Sequence, residues 1–170
     1  MFEVNSCVMY GKIGVCKITG IRNGRVIGKP ETEYYVLHPV FSNDLEIMSP
    51  IDDKKAYMRE LVSEQKVFSL IESIPEQEPV WKDDSKLRNA MFMAAMDSGR
   101  CEEWIIVIKS IDQKSEEFRL NRKKLSYLDE TMLKDAKRLL YEEFSHSLHI
   151  RPEDIESFIM KRLSRSILAS

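Results

Sequence analysis

The spacing of apolar residues changes character near Pro50, and this break constrains the fold more than any other feature. Before it, apolar side chains recur at alternate positions, the period of a strand with one buried face. After it they recur three and four residues apart, the period of an amphipathic helix. Glycine follows the same division. Gly11, Gly14, Gly20, Gly24 and Gly28 precede the break, and only Gly99 follows it. The pattern predicts an α+β chain: a small N-terminal antiparallel β-barrel followed by an all-α helical domain. The expected domains are 1–52 and 53–170.

In the first part, Phe2, Val4, Ser6 and Val8 lie on one face of an extended segment. Gly11 and Gly14 supply the backbone freedom of a sharp bend. A second strand over residues 15–21 leads to turn signals at Asn23-Gly24 and Gly28-Lys29-Pro30. Residues 32–38 and 45–48 complete four short strands, the pattern of a small barrel. Arg22, Arg25 and Lys29 cluster in the turn region. They read either as a solvated hairpin tip or as a group facing an acidic patch on a partner. The short run 43–48 carries Asp44 and Glu46 outward, and it is the candidate sheet edge for pairing with another protein's strand.

In the second part, Asp52 or Asp53 caps an expected helix from Lys54, with Ala56, Tyr57 and Leu61 inside. Val67, Phe68, Leu70, Ile71 and Ile74 form the next helical stripe, which Pro75 ends. Asp83, Asp84 or Ser85 caps a helix running to about Asp97, with Leu87, Met91, Ala94 and Ala95 inward and a stop at Ser98-Gly99. The following helix holds Cys101, Trp104, Ile105, Val107, Ile108 and Ile111. It is apolar on most sides, so it is expected at the centre of the helical domain, with Trp104 in the core. Residues 119–124 form a basic segment. Ser126 with Asp129 or Glu130 then suggests a capping box for a long helix carrying Met132, Leu133, Ala136, Leu139, Leu140 and Phe144. Pro152 suits the first turn of a last helix.

Composition excludes several classes of function. No run approaches about 18 apolar residues, so no membrane span is expected. The N-terminus lacks a basic-then-apolar secretory pattern, which places the chain in the cytoplasm. Cys7, Cys16 and Cys101 lack metal-ligand spacing and read as reduced thiols. The only histidines are His38, His146 and His149, with no His-x-x-x-His motif. Nucleotide-binding glycine loops and nucleophile elbows are absent as well. The chain is therefore expected to be no enzyme and to use no metal, cofactor or small-molecule substrate. Its formal net charge of -2 argues against strong autonomous DNA binding, because phosphate neutralisation supplies most non-specific affinity.

Several residues in order, Phe2, Val8-Met9-Tyr10, Gly14-Val15, Tyr34-Tyr35-Val36-Leu37 and 45–50, resemble the N-terminal module of the CarD family of bacterial transcription regulators. The transcription-repair coupling factor shares that Tudor-like module. The resemblance continues to about residue 145 through Trp81, Ser98-Gly99, the apolar helix after it, Leu125-Ser126 and Met132-Leu133-x-x-Ala136-Lys137-Arg138-Leu139-Leu140. It implies that the N-terminal module binds the β subunit of bacterial RNA polymerase, with Arg22, Arg25, Glu46, Ile47 and Met48 as candidate contacts. It also implies that Trp81 wedges into the minor groove of promoter DNA near the upstream fork. Lys82, Lys86 and Arg88 near Trp81, and Arg119, Arg122, Lys123 and Lys124, are the candidate DNA-binding cations.

Two readings stand for Trp81, a DNA wedge or a cap on the helical bundle. Two also stand for the 119–124 run, a phosphate track or a solvated face. The chain departs from the family pattern at Met48, where some members have Arg, and at three places in the DNA-facing half. Trp81 to Gly99 is longer by roughly one helical turn, Asp83-Asp84 follows the tryptophan, and the acidic and neutral Asp129-Glu130-Thr131 stands where a basic pair is common. The alternative function is a polymerase-binding adaptor whose helical domain contacts another protein.

Overall fold

The structure is a computed structural model that describes residues 1–24, 31–42, 45–52 and 58–169. Two compact units make up the chain, Met1–Leu61 and Val62–Ser170.

The first unit is a five-stranded antiparallel sheet: β1 (Cys7–Tyr10), β2 (Gly14–Gly24), β3 (Thr32–Pro39), β4 (Ile47–Pro50) and β5 (Met58–Glu60), in the order β4-β3-β2-β1-β5. The sheet is not closed, so the expected barrel is barrel-like only loosely, and β4 and β5 are its two edges. Alternation works as the sequence suggests. Val8, Cys16, Ile18, Tyr35 and Leu37 form one buried cluster, with Phe2, Tyr10, Ile47, Ile51 and Met58 packed against it. Gly11 and Gly14 have φ of +47° and +112°, so the bend between β1 and β2 uses the left-handed region that glycine tolerates.

Two expectations are corrected here. The segment before Cys7 is a turn rather than a strand. Asn5 has φ 74°, and its N–H donates to the Ile18 carbonyl at 2.7 Å, which leaves Val4 exposed. The helix expected from Lys54 is not present at its described end. Met58, Arg59 and Glu60 pair with Tyr10, Met9 and Val8, because the free side of β1 offers unpaired backbone groups. Asp53, Lys54, Ala56 and Tyr57 lie outside the described residues. The N-terminal unit consequently continues past residue 52.

The second unit contains α1 (Glu64–Ser73), a 3-10 turn (Ile74–Glu76), α2 (Ser85–Asp97), α3 (Cys101–Leu120), α4 (Tyr127–Leu148) and α5 (Pro152–Ala169). The caps are local chemistry. Ser63, Asp84 and Ser126 each accept a hydrogen bond from the backbone N–H three residues on, at 3.2, 2.9 and 3.2 Å. His149 ends α4 in the left-handed region, and Pro152 begins α5.

Trp104, Ile111, Leu139, Phe144 and Ile155 are fully buried. The helix that packs against α1, α2, α3 and α5 is α4, so α4 rather than the more apolar α3 is the hub. The buried stripe of α2 is Arg88, Phe92 and Met96, whereas Leu87 is 56% exposed and Ala94 is also at the surface. The expected inward face of α2 was turned by one residue because its first buried member is charged.

Candidate functional site

Trp81 does not sit on α2 but in the segment ahead of it, and three side chains hold that segment. The Lys109 ammonium donates to the carbonyls of Ile74, Pro75 and Gln77 at 2.8, 3.0 and 2.5 Å. The buried Ser110 hydroxyl accepts from the Val80 N–H at 2.8 Å and donates to the Ile106 carbonyl at 2.6 Å. Arg88 Nη1 donates to the carbonyls of Lys82 and Asp83 at 2.6 and 3.3 Å. Between the short 3-10 turn and α2 the backbone has no regular ladder, and these side chains supply partners there. The backbone is thereby held one residue before Trp81, at the Val80 N–H, and one residue after it, at the Lys82 carbonyl.

The Trp81 ring is half-buried. Phe92 and Phe118 meet it edge-on at 6.3 and 6.1 Å, and the Arg88 guanidinium lies 4.2 Å from its centroid, a cation–π distance. Lys114 Nζ is 5.7 Å from the same centroid. Arg88 is itself buried and pairs in a bidentate manner with Asp129, at 2.9 Å from Nε and 2.8 Å from Nη2. Burial pushes the Asp129 carboxyl up, but hydrogen bonds from Arg88 and Ser126 together hold it below its ordinary value of 3.8. The Ser126 hydroxyl donates to Asp129 Oδ2 at 2.6 Å, so one aspartate joins the start of α4 to α2 and to the tryptophan.

Basic residues surround this core unequally. Lys82 and Lys86 are exposed. Phe118, which touches Trp81, directly precedes the basic turn, and its carbonyl accepts from the Lys123 N–H at 2.7 Å. Arg119 is exposed and paired with Glu116 at 2.6 Å. Arg122, Lys123 and Lys124 are exposed, and Arg122 adopts φ 56° at the turn. Leu87, Leu120, Tyr127 and Leu128 are exposed apolar side chains at this same end of the bundle.

Trp81, Lys82, Lys86 and the 119–124 turn therefore share one end of the unit, while Arg88 is committed to its interior. Sequence reasoning missed Lys109, Ser110, Phe118 and the role of Asp129. Only the pairing of a buried-stripe arginine with a capping aspartate marks them.

In the N-terminal unit, Arg22 is exposed and paired with Glu46 at 2.6 and 3.4 Å, and His38 Nε2 lies 3.5 Å from the same carboxylate. Ile47 turns toward the core cluster and Met48, at the sheet edge, is 43% exposed. Arg25, Lys29, Asn43 and Asp44 lie outside the described residues.

None of Cys7, Cys16 and Cys101 forms a disulfide. The His146 and His149 rings are 6.5 Å apart, and no group of three or more metal-ligating side chains gathers among the described residues. No helix among the described residues is long and apolar enough to cross a membrane.

A five-stranded sheet unit is thus followed by a helical unit that sets a half-buried tryptophan beside exposed cations. Family models make the assignment specific. Residues 2–62 match the CarD-like/TRCF RID domain and residues 66–160 match the CarD C-terminal domain. The chain belongs to the CarD family, a family of non-enzymatic transcription factors. No curated protein matches the chain.

Proposed function

We propose that the chain regulates transcription in the cytoplasm by binding the β subunit of RNA polymerase through its N-terminal unit. Its helical unit then engages promoter DNA near the upstream fork. The observation that carries the DNA half is the half-buried Trp81 beside an exposed basic turn at 122–124. An aromatic wedge favours an unstacked base step, and nearby cations favour the phosphates on either side of it.

On the polymerase side, Arg22, Glu46 and Met48 are exposed together near the β4 edge, where a strand from a partner has backbone groups to pair with. Arg25 and Ile47 complete the proposed contact set. The mechanism is a population shift. A protein that binds the open complex more tightly than the closed one moves the equilibrium by the ratio of the two affinities. Tethering to polymerase raises the local concentration of the helical unit at the DNA, so a chain of net charge -2 needs little intrinsic DNA affinity.

The test measures the half-life of promoter open complexes formed by bacterial polymerase with the full chain, beside a pull-down of the isolated β subunit. The proposal expects β-subunit capture and a changed half-life that Trp81→Ala abolishes. Capture with no dependence on Trp81 points instead to an adaptor, for which the exposed Leu87, Leu120, Tyr127 and Leu128 supply a protein-docking surface. Loss of both results removes the proposal.

A further inference from the structure

We infer that Arg88 and Asp129 are positioning residues that hold the Trp81 ring in one preset pose, and that neither contacts DNA. The inference rests on the reading of Trp81 as the DNA wedge. Arg88 binds what lies on either side of its task. Its guanidinium covers the Trp81 ring at 4.2 Å, and Nη1 grips the two carbonyls that follow the tryptophan. Nε and Nη2 are both used by Asp129.

A guanidinium has five N–H donors in a fixed planar fork. Here four of those five are used inside the protein, by Asp129 and by the Lys82 and Asp83 carbonyls, and the side chain is only 8% exposed, so no open fork faces a phosphate. Asp129 in turn is fixed by Ser126 at the start of α4. The ring, the backbone after it, α2 and α4 are thus joined through a single planar group. On the other side of Trp81, Ser110 holds the Val80 N–H and Lys109 holds the carbonyls before it.

A wedge that is already ordered loses less conformational freedom when it meets a base step. Ordering one side chain on binding changes affinity by about two- to tenfold, which sets the expected size of the effect. The clamp also accounts for an acidic residue at a position the DNA reading would make basic. Asp129 faces inward, where it orients Arg88, and not outward toward phosphates.

The experiment uses the full chain labelled with 5-fluorotryptophan. Its two signals are assigned with Trp81→Phe, and Trp104 serves as the internal control of folding. Asp129→Asn, Arg88→Lys and Arg88→Gln are compared for the Trp81 signal and for binding to a forked duplex over a range of salt. The expected result is a shifted or broadened Trp81 signal with Trp104 unmoved, and binding weakened by about two- to tenfold. The salt slope should not change, because no phosphate contact is lost.

The direction of the Asp129→Asn effect is decisive. Removing a negative charge would tighten DNA binding by electrostatics alone, whereas loss of the clamp weakens it. Tighter binding, an unmoved Trp81 signal, or a salt slope reduced by about 0.9 in Arg88→Gln each overturns the inference. If Trp81→Phe and Trp81→Ala leave fork binding unchanged, the wedge reading itself is what fails. Wild-type binding in Asp129→Asn beside weakened binding in Trp81→Ala removes the clamp alone.

Discussion

Each unit contains an arginine–carboxylate pair at its candidate site, and the two pairs differ most in burial. Arg22 and Glu46 are 58% and 40% exposed at the side chain, whereas Arg88 and Asp129 are 8% and 7% exposed. In water the first pair contributes little and exchanges partners freely. Away from water, the second cannot lose one member without stranding a charge. The same chemistry therefore suits a negotiable contact in the sheet unit and a fixed scaffold in the helical unit.

The comparison breaks most readily at Asp129. Replacing it with Ala is expected to lower the stability of the helical unit by about 3–5 kcal/mol, the cost of a buried charge without its partner. Both tryptophans, Trp81 and Trp104, lie in this unit, so denaturant unfolding followed by tryptophan fluorescence reads it alone. The double replacement Arg88→Met with Asp129→Leu should lose much less, because no charge is left behind. Equal losses in the single and double variants would show that the pair is not coupled.

Acid should act on the same pair, with a defined sign. The Asp129 carboxyl is held below its ordinary value of 3.8. Its contribution is therefore present above that pH and lost as pH falls through the lower folded value. His146 is pulled below 6.5 by burial and then by His149. The folded state resists its protonation, so stability also declines as pH drops from 6.5 toward the folded value. Unfolding midpoints measured across pH should show two windows of loss. Asp129→Asn should shrink the lower, to which Glu102 beside Lys66 also contributes, and His146→Gln should remove the upper.

Trp81→Ala is expected to cost about 1–3 kcal/mol, less than a fully buried tryptophan because the residue is only partly buried. The same denaturation, followed through Trp104, measures it. A loss as large as that of a core aromatic would make Trp81 a packing residue first and a wedge second.

How much of this was legible in the sequence depended on whether the signal was local. The caps at Asp84 and Ser126, the turn glycines Gly11 and Gly14 and the start at Pro152 were readable because each acts within a few residues. The alternation of Val15 to Leu37 showed the sheet. What stayed hidden was decided across the chain. Strand β5 exists because β1 has a free edge, and nothing in Met58-Arg59-Glu60 announces a strand. Arg88 reads as a surface cation until Asp129 is brought beside it, and that long-range pairing turned the buried face of α2 away from Leu87. The same pairing separates Arg88 from Lys82, Lys86 and the 119–124 turn, with which it was grouped as a candidate DNA contact.

On the sheet side, Arg22→Ala should change the stability of the N-terminal unit by less than about 1 kcal/mol. Hydrogen exchange of the β2 and β3 amides reports that unit by itself. A larger loss would mean that the exposed pair is structural after all, and the contrast with Arg88 and Asp129 would fall.

The smallest effect on stability is expected at Lys123 and Lys124. Both are exposed and make no ion pair with a described residue, so Lys123→Gln with Lys124→Gln should stay within about 0.5 kcal/mol of the parent. Their effect belongs to binding. If the turn lies along a phosphate backbone, the slope of log affinity against log salt should become shallower by about 1.8, near 0.9 for each neutralised contact. The Arg88→Gln variant, carrying one change of charge at a buried site, should leave that slope alone. Measured side by side on one duplex, the two variants separate cations that face DNA from the one that faces the tryptophan. An unchanged slope in the lysine double variant would leave Lys82 and Lys86 as the cations to test beside Trp81.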